Sequence, residues 1–299
     1  PILLVVVPLI ASFVVPLLGW WNRRLVFPVA LFALSCSFGL ALVLARQVLN
    51  AGPVDYFMGG WEPPWGIAFH IDHLAALMLL LLTFVTLLVG IYSKKSIVKE
   101  APDQEVPFYS VYLILASGLT GLVSTADMFN LYVFLEISSL SCYALVSLGG
   151  GVAVVSAFRY VILGTVGAAF YLLSVGYLYS VTGSLNMADL AGLLPSLYES
   201  NAVLVGFSFF VIGISLKMAL FPMHAWLPGA YSNAPSAVSA LVAGTTTKVA
   251  AYVLARVMFF VFEPNFSIDT LPVTTVSYTH LRAHETRHAL VCRLLLEKK

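Results

Sequence analysis

Charge is scarce in this 299-residue chain: 10% of residues are Asp, Glu, Lys or Arg, against 60% hydrophobic. An ordinary soluble domain carries roughly 25% charged and about 45–50% apolar residues. The deficit excludes a soluble globular enzyme and a disordered chain. Cysteine is scarcer still. Cys36, Cys142 and Cys292 are too few and too scattered for a disulfide framework. Cys36 and Cys142 lie in apolar runs and read as small hydrophobes. There is no iron–sulfur cysteine set, no Rossmann glycine pattern and no haem-ligand pair, so no cofactor and no redox chemistry of its own are expected. The net charge of +1 gives no support to nucleic-acid binding.

What the chain has in abundance is long apolar runs. A bilayer core about 30 Å thick needs ~20 apolar residues of helix. Eight segments qualify: Ile2–Gly19, Leu25–Ala45, Ile71–Tyr92, Val106–Ser124, Met128–Leu148, Phe158–Val181, Ala202–Phe221 and Ser236–Phe262. Lipid offers no partner to a free backbone amide, so these spans must be helices. The first lacks a basic n-region and a clear cleavage site, and reads as a span rather than a signal peptide. The expected fold is therefore all-α, a polytopic helical membrane protein lying in a lipid bilayer.

The connections sort by charge. One side receives Arg23, Arg24, Lys94, Lys95 and Lys99, the other Asp55, Glu62, Asp127, Asp189, Glu199, Glu263 and Asp269. Excess Lys and Arg marks the cytoplasmic face, which places both ends of the eight-span unit outside. Arg46 and Arg256 fall toward the wrong side. Asn50–Gly66, with Trp61 and Trp65, suits a membrane interface. In Asn186–Ser200, Met187, Leu190, Leu194 and Leu197 recur at steps of three and four, which suggests a short amphipathic helix on the outer surface.

A few charges lie within the spans. A charge at a helix centre costs ~2.5–3.5 kcal/mol on insertion scales, so such residues usually serve ion pathways. Glu136 lies eight residues past Met128, roughly 12 Å from the outer face. No basic residue stands at i±3 or i±4, so its partner must come from another helix. Lys217 lies late in the seventh span. The apolar sequence runs on past it, but Pro222 and Pro228 follow, which marks a broken helix of the kind that lines membrane cavities. His224 sits in that break, and a histidine side chain can relay protons. Lys248 lies twelve residues into the eighth span, roughly 18 Å from the inner face. It follows Thr245, Thr246 and Thr247, whose hydroxyls can bond backbone or water. Arg159 and Asp127 are secondary candidates; the first reads as a positive-inside anchor, the second as a helix cap. Burial disfavours a charged lysine and a nearby carboxylate favours it. Moving Glu136 toward or away from Lys217 would then switch the lysine between holding and releasing a proton, which His224, water and Lys248 would pass sideways.

At these residues the chain resembles the antiporter-like membrane subunits shared by Mrp-type cation/proton antiporters and respiratory complex I. The matching segments are DMFNLYVFLE (Asp127–Glu136), YSVTGSLNMADLA (Tyr179–Ala191), KMALFPMHAWLP (Lys217–Pro228) and KVAAYVLAR (Lys248–Arg256). The outer connection GGWEPPWG (Gly59–Gly66) is similar to the MrpD branch in particular. The resemblance implies that Glu136 pairs with Lys217, that Lys248 and His224 continue the path, and that proton translocation is coupled to a partner process. In the Mrp branch that process is sodium or other cation exchange within a hetero-oligomer of membrane subunits. In complex I it is quinone reduction elsewhere in the assembly, and a proton-pumping subunit of a membrane-bound hydrogenase is the other redox alternative.

The implied organisation is a three-helix segment over residues 1–105 and one five-helix repeat over 106–263. A second repeat, expected in the family, is missing, so the chain reads as a fragment in a bacterial cytoplasmic membrane. Residues 264–299 are polar. Within 276–299, His284-Glu285-Thr286-Arg287-His288 matches a zinc-protease pattern. A short terminal tail offers no catalytic domain around it, so no metal site is expected. This stretch reads as non-native. It contributes five Lys/Arg and two acids, which leaves the rest of the chain with a net charge of −2.

Overall fold

The computed structural model describes residues 1–262; the tail readings, including the His284–His288 pattern, lie outside the described residues. Among the described residues, eight helical stretches are long and apolar enough to cross a membrane. They begin with α1 (Leu3–Trp21), α2 (Val26–Ala51), α3 (His73–Glu100), α4 (Glu105–Ser124), α5 (Met128–Ser147) and α6 (Val152–Thr182). After the short α7 (Met187–Leu193), the seventh span is α8 (Asn201–Met218). The short α9 (Leu227–Asn233) leads into the eighth span, made of α10 (Ser236–Gly244), α11 (Thr246–Val257) and a π turn, Met258–Phe262. The chain is an integral, multi-pass helical membrane protein.

Two expectations need correction. The eighth span is not one helix. It breaks at Thr245 (φ −123°, ψ −62°) with no proline present. The Thr245 and Thr246 hydroxyls donate back to the Leu241 and Val242 carbonyls at the end of α10. The seventh span stops at Met218, three residues before Phe221, because Ala219 turns left-handed (φ 59°). The Ala219 and Leu220 amides donate back to the Leu216 and Ser215 carbonyls, a Schellman-type stop that closes the helix before Pro222 is reached. The connection between α2 and α3 holds an antiparallel hairpin, β1 (Val54–Phe57) with β2 (Ala68–Ile71), Val54 pairing with Ile71.

Small residues let the helices approach closely. A Cβ on Gly213 would lie 2.7 Å from the Gly167 carbonyl oxygen, so α6 and α8 pack backbone against backbone. On the hairpin side, the Ala126 amide donates to Ala68, the Met128 amide to Leu185 and the Met187 amide to Ala126. These bonds knit the hairpin, the start of α5 and the start of α7 together. The expected amphipathic helix is α7 with the 3-10 turn Leu194–Leu197, and its Met187, Leu190 and Leu194 are buried in the protein itself rather than turned to lipid.

Helix α3 grips both ends of the broken eighth span. At its start, Asp72 caps the helix through Oδ1 (Ala75 amide, 2.8 Å) and pairs through Oδ2 with Arg256 Nη1 of α11 (2.5 Å). At its end, Glu100 accepts the Ser236 amide (2.6 Å) and the Ser236 hydroxyl at the first turn of α10. Gly244, beside the break, faces Val85 midway along α3. This explains why Arg256 departs from the charge pattern: it serves Asp72.

Candidate functional site

The fifth helix presents Glu136, Ser139 and Tyr143 at i, i+3 and i+7, one face of an α-helix. That face meets Lys217, the penultimate residue of α8. Lys217 is 8% exposed. Its Nζ donates to Ser139 Oγ at 2.7 Å, to Glu136 Oε1 at 3.3 Å and to the Tyr143 hydroxyl at 3.5 Å. A buried ion is tolerated where it is paired and its remaining protons are bonded, and Lys217 has three acceptors for three N–H groups. Glu136 is more open, with 22% of its side chain accessible.

Beside the ammonium lies a cavity of about 30 Å³, bounded by Ser138, Ser139, Cys142, Lys217, Thr246 and Ala250. That exceeds the ~10–15 Å³ a water molecule needs, and the hydroxyls supply partners. The cavity reaches from Lys217 to the start of α11, directly after the break in the eighth span.

The other candidates fall elsewhere. Lys248 does not line the cavity. Its side chain is exposed at the surface, and its Nζ donates to Thr247 Oγ1 at 3.4 Å. Thr247 itself is buried. His224 sits half-buried in the irregular stretch after α8, its ring stacked on Phe221 at 5.6 Å. Pro222 lies in that stretch and Pro228 in the first turn of α9, where a missing amide leaves no hydrogen bond unmade. Arg159 is exposed on α6. Asp127 caps α5, accepting the Asn130 amide at 2.6 Å, and burial pushes its carboxyl above the usual range. The structure thus brings Glu136 and Lys217 together and leaves Lys248, His224, Arg159 and Asp127 apart from them.

Sequence reasoning missed Ser139 and Tyr143, although their spacing from Glu136 carried the signal. It also missed Tyr160 and Trp226. Tyr160 stacks on Trp226 with centroids 3.9 Å apart and meets Tyr143 edge-on at 4.5 Å. Nothing in the local pattern announces that contact, because the three rings come from α5, α6 and the segment before α9.

A lysine–glutamate pair buried where one helix stops inside the bundle defines a polytopic membrane subunit of the antiporter-like class. Residues 125–280, half of the chain, match the family described as NADH:quinone oxidoreductase/Mrp antiporter, TM, and the chain belongs to that family. Residues 64–95 match the N-terminal segment described for chain 5 of complex I. The N subunit of the NADH-quinone oxidoreductase of Desulforudis audaxviator is 46% identical over 267 residues, covering 88% of this chain and 53% of that protein. The D subunit of the Na(+)/H(+) antiporter of Bacillus subtilis is 32% identical, covering 87% and 52%. Among solved structures, a chain of the archaeal membrane-bound sulfane sulfur reductase superposes with a TM-score of 0.82 at 33% identity, covering 86% of this chain and 53% of that one. A chain of the Mrp complex of a Dietzia species gives 0.79 at 28%, covering 87% and 48%. The chain spans about half the length of the curated relatives it matches.

Proposed function

We propose that this chain supplies a proton-translocating half-channel, with Glu136 and Lys217 as its switching pair. The observation that carries the reading is the Lys217 ammonium, buried at a helix end and held 3.3 Å from Glu136 beside a water-sized cavity. Separation of the two removes the carboxylate that favours the charged amine and promotes release of its proton; approach restores it. The cavity leads that proton toward Thr246 and the eighth span. His224 and Lys248 would serve further along, Lys248 from the surface that a neighbouring domain or subunit covers.

The coupled process in this reading is exchange of a monovalent cation, Na+ first, for protons, within a hetero-oligomer of membrane subunits in a bacterial cytoplasmic membrane. The GGWEPPWG connection and the Na(+)/H(+) antiporter relatives support it. The 46% identity to an NADH-quinone oxidoreductase chain favours a second reading, proton pumping driven by quinone reduction elsewhere in the assembly. Vesicles holding the full-length assembly separate the two. Addition of Na+ collapses a proton gradient in the first case, and a quinone with its reductant builds one in the second. Lys217→Ala lowers either flux by at least about a hundredfold, about 2.7 kcal/mol of barrier. Wild-type flux in Lys217→Ala would overturn the proposal.

A further inference from the structure

Four buried groups close a circuit around the break in the seventh span. The Lys217 ammonium lies 3.5 Å from the Tyr143 hydroxyl. The Tyr143 ring meets Tyr160 edge-on, 79° between planes, with centroids 4.5 Å apart. Tyr160 lies flat on Trp226, 2° between planes. The Trp226 indole N–H then returns to α8, donating to the Leu216 carbonyl at 2.9 Å, one residue before Lys217. Tyr143, Tyr160 and Trp226 are each 5% exposed or less. Tyr143 is further fixed by Gly164, where a Cβ would stand 1.8 Å from its hydroxyl oxygen.

Stacked and edge-on rings hold one another's planes, and packed interiors shift between discrete arrangements rather than deforming smoothly. Trp226 belongs to the irregular stretch between α8 and α9. Any movement of that stretch pulls on the Tyr160 plane and so on the hydroxyl facing the ammonium. Any change in the lysine–glutamate pair travels the other way. Lys217 is faced by Glu136, Cys142 and Tyr143 from α5 and by Tyr160 from α6, and α11 adds the hydroxyl of Thr246. The ladder thus supplies the aromatic part of the lysine's surroundings, beside its carboxylate partner.

We propose that Tyr160 and Trp226 are positioning residues for Lys217, coupling the conformation of the broken segment to the lysine–glutamate pair through Tyr143. The proposal rests on the reading of that pair as the ion-translocating group.

The test uses the full-length assembly in vesicles. Tyr160→Leu and Trp226→Leu lower proton flux by about tenfold or more, and Tyr160→Phe, which keeps the ring, stays within about threefold of wild type. A second readout is independent of flux. With Trp20, Trp21, Trp61 and Trp65 replaced by Phe, Trp226 is the remaining tryptophan of residues 1–299. Labelling it with fluoro-tryptophan gives a resonance that Glu136→Gln shifts when Tyr160 is present and leaves in place in the Tyr160→Leu background. A Trp226 resonance indifferent to Glu136→Gln in the intact ladder would overturn the coupling, as would equal flux in the Tyr160→Leu and Tyr160→Phe proteins. Normal flux in Lys217→Ala would instead remove the function the ladder serves, and the resonance reports the coupling in either case.

Discussion

An alanine at Gly164 would put its Cβ 1.8 Å from the Tyr143 hydroxyl oxygen and 2.7 Å from the ring carbon that bears it. The tyrosine must leave its place, and Lys217 loses one of three acceptors. Gly164→Ala is expected to cost about 1–3 kcal/mol, the usual range for overpacking a filled core. Tyr143→Phe removes the nearer of the two clashing atoms, so the double variant recovers part of that loss. Thermal melts of the four proteins in nanodiscs form the cycle, and strict additivity would show that the two side chains do not compete for one space. At this scale the sequence was partly legible. Glu136 and Lys217 stood out because charge is rare in apolar helices. Tyr143 did not, since aromatic residues are ordinary in a membrane helix and its role depends on a notch in another element.

Among the elements, α3 has an uncommon task. It holds α11 through Asp72 and α10 through Glu100, one on each side of the break at Thr245. Asp72 does two things at once, capping α3 and neutralising a 9%-exposed Arg256. Asp72→Ala ends both and leaves a buried arginine unpaired, a change worth about 3–5 kcal/mol. Asp72→Asn keeps the cap, since Asn caps as well as Asp, and loses less. Denaturant or thermal unfolding in nanodiscs ranks the three; an alanine variant as stable as wild type would mean that the pair carries no stability. At the opposite end, Glu100→Ala is expected to cost about 1 kcal/mol, the usual value of a lost cap. Its signature is faster hydrogen exchange at Ser236 and Ala237, the amides that Glu100 and Ser96 hold. The apolar length of the eighth span was visible in the sequence, but its interruption was not. No proline marks it, and the contacts that shape it come from residues 136 and 184 positions away. Pro222 did announce the break in the seventh span, although Ala219 acts first.

Across the whole molecule, two faces differ in construction. On one, the hairpin, the start of α5 and the start of α7 are bonded into a layer, with Trp61 and Trp65 exposed. On the other lie Arg23 and Arg24, in the turn between α1 and α2, and Lys94, Lys95 and Lys99, on the last turns of α3. Arg23 pairs with Asp103 at 3.2 Å, and Lys94 sits 4.8 Å above the Phe27 ring. The basic face is expected in the cytoplasm, because orientation follows Lys and Arg near the span ends rather than net charge. Acidic Glu100, Asp103 and Glu105 on the same face do not reverse the assignment; Glu100 is committed to α10 and Asp103 to Arg23. Two single-cysteine proteins in a cysteine-free background decide the matter. Trp65→Cys lies on the hairpin face, and Gln104→Cys lies in the exposed turn between α3 and α4. A membrane-impermeant maleimide added to intact cells labels the first and reaches the second only after the membrane is opened. The reverse pattern would turn the protein over. The start of α5, the end nearer Glu136, would then face the cytoplasm.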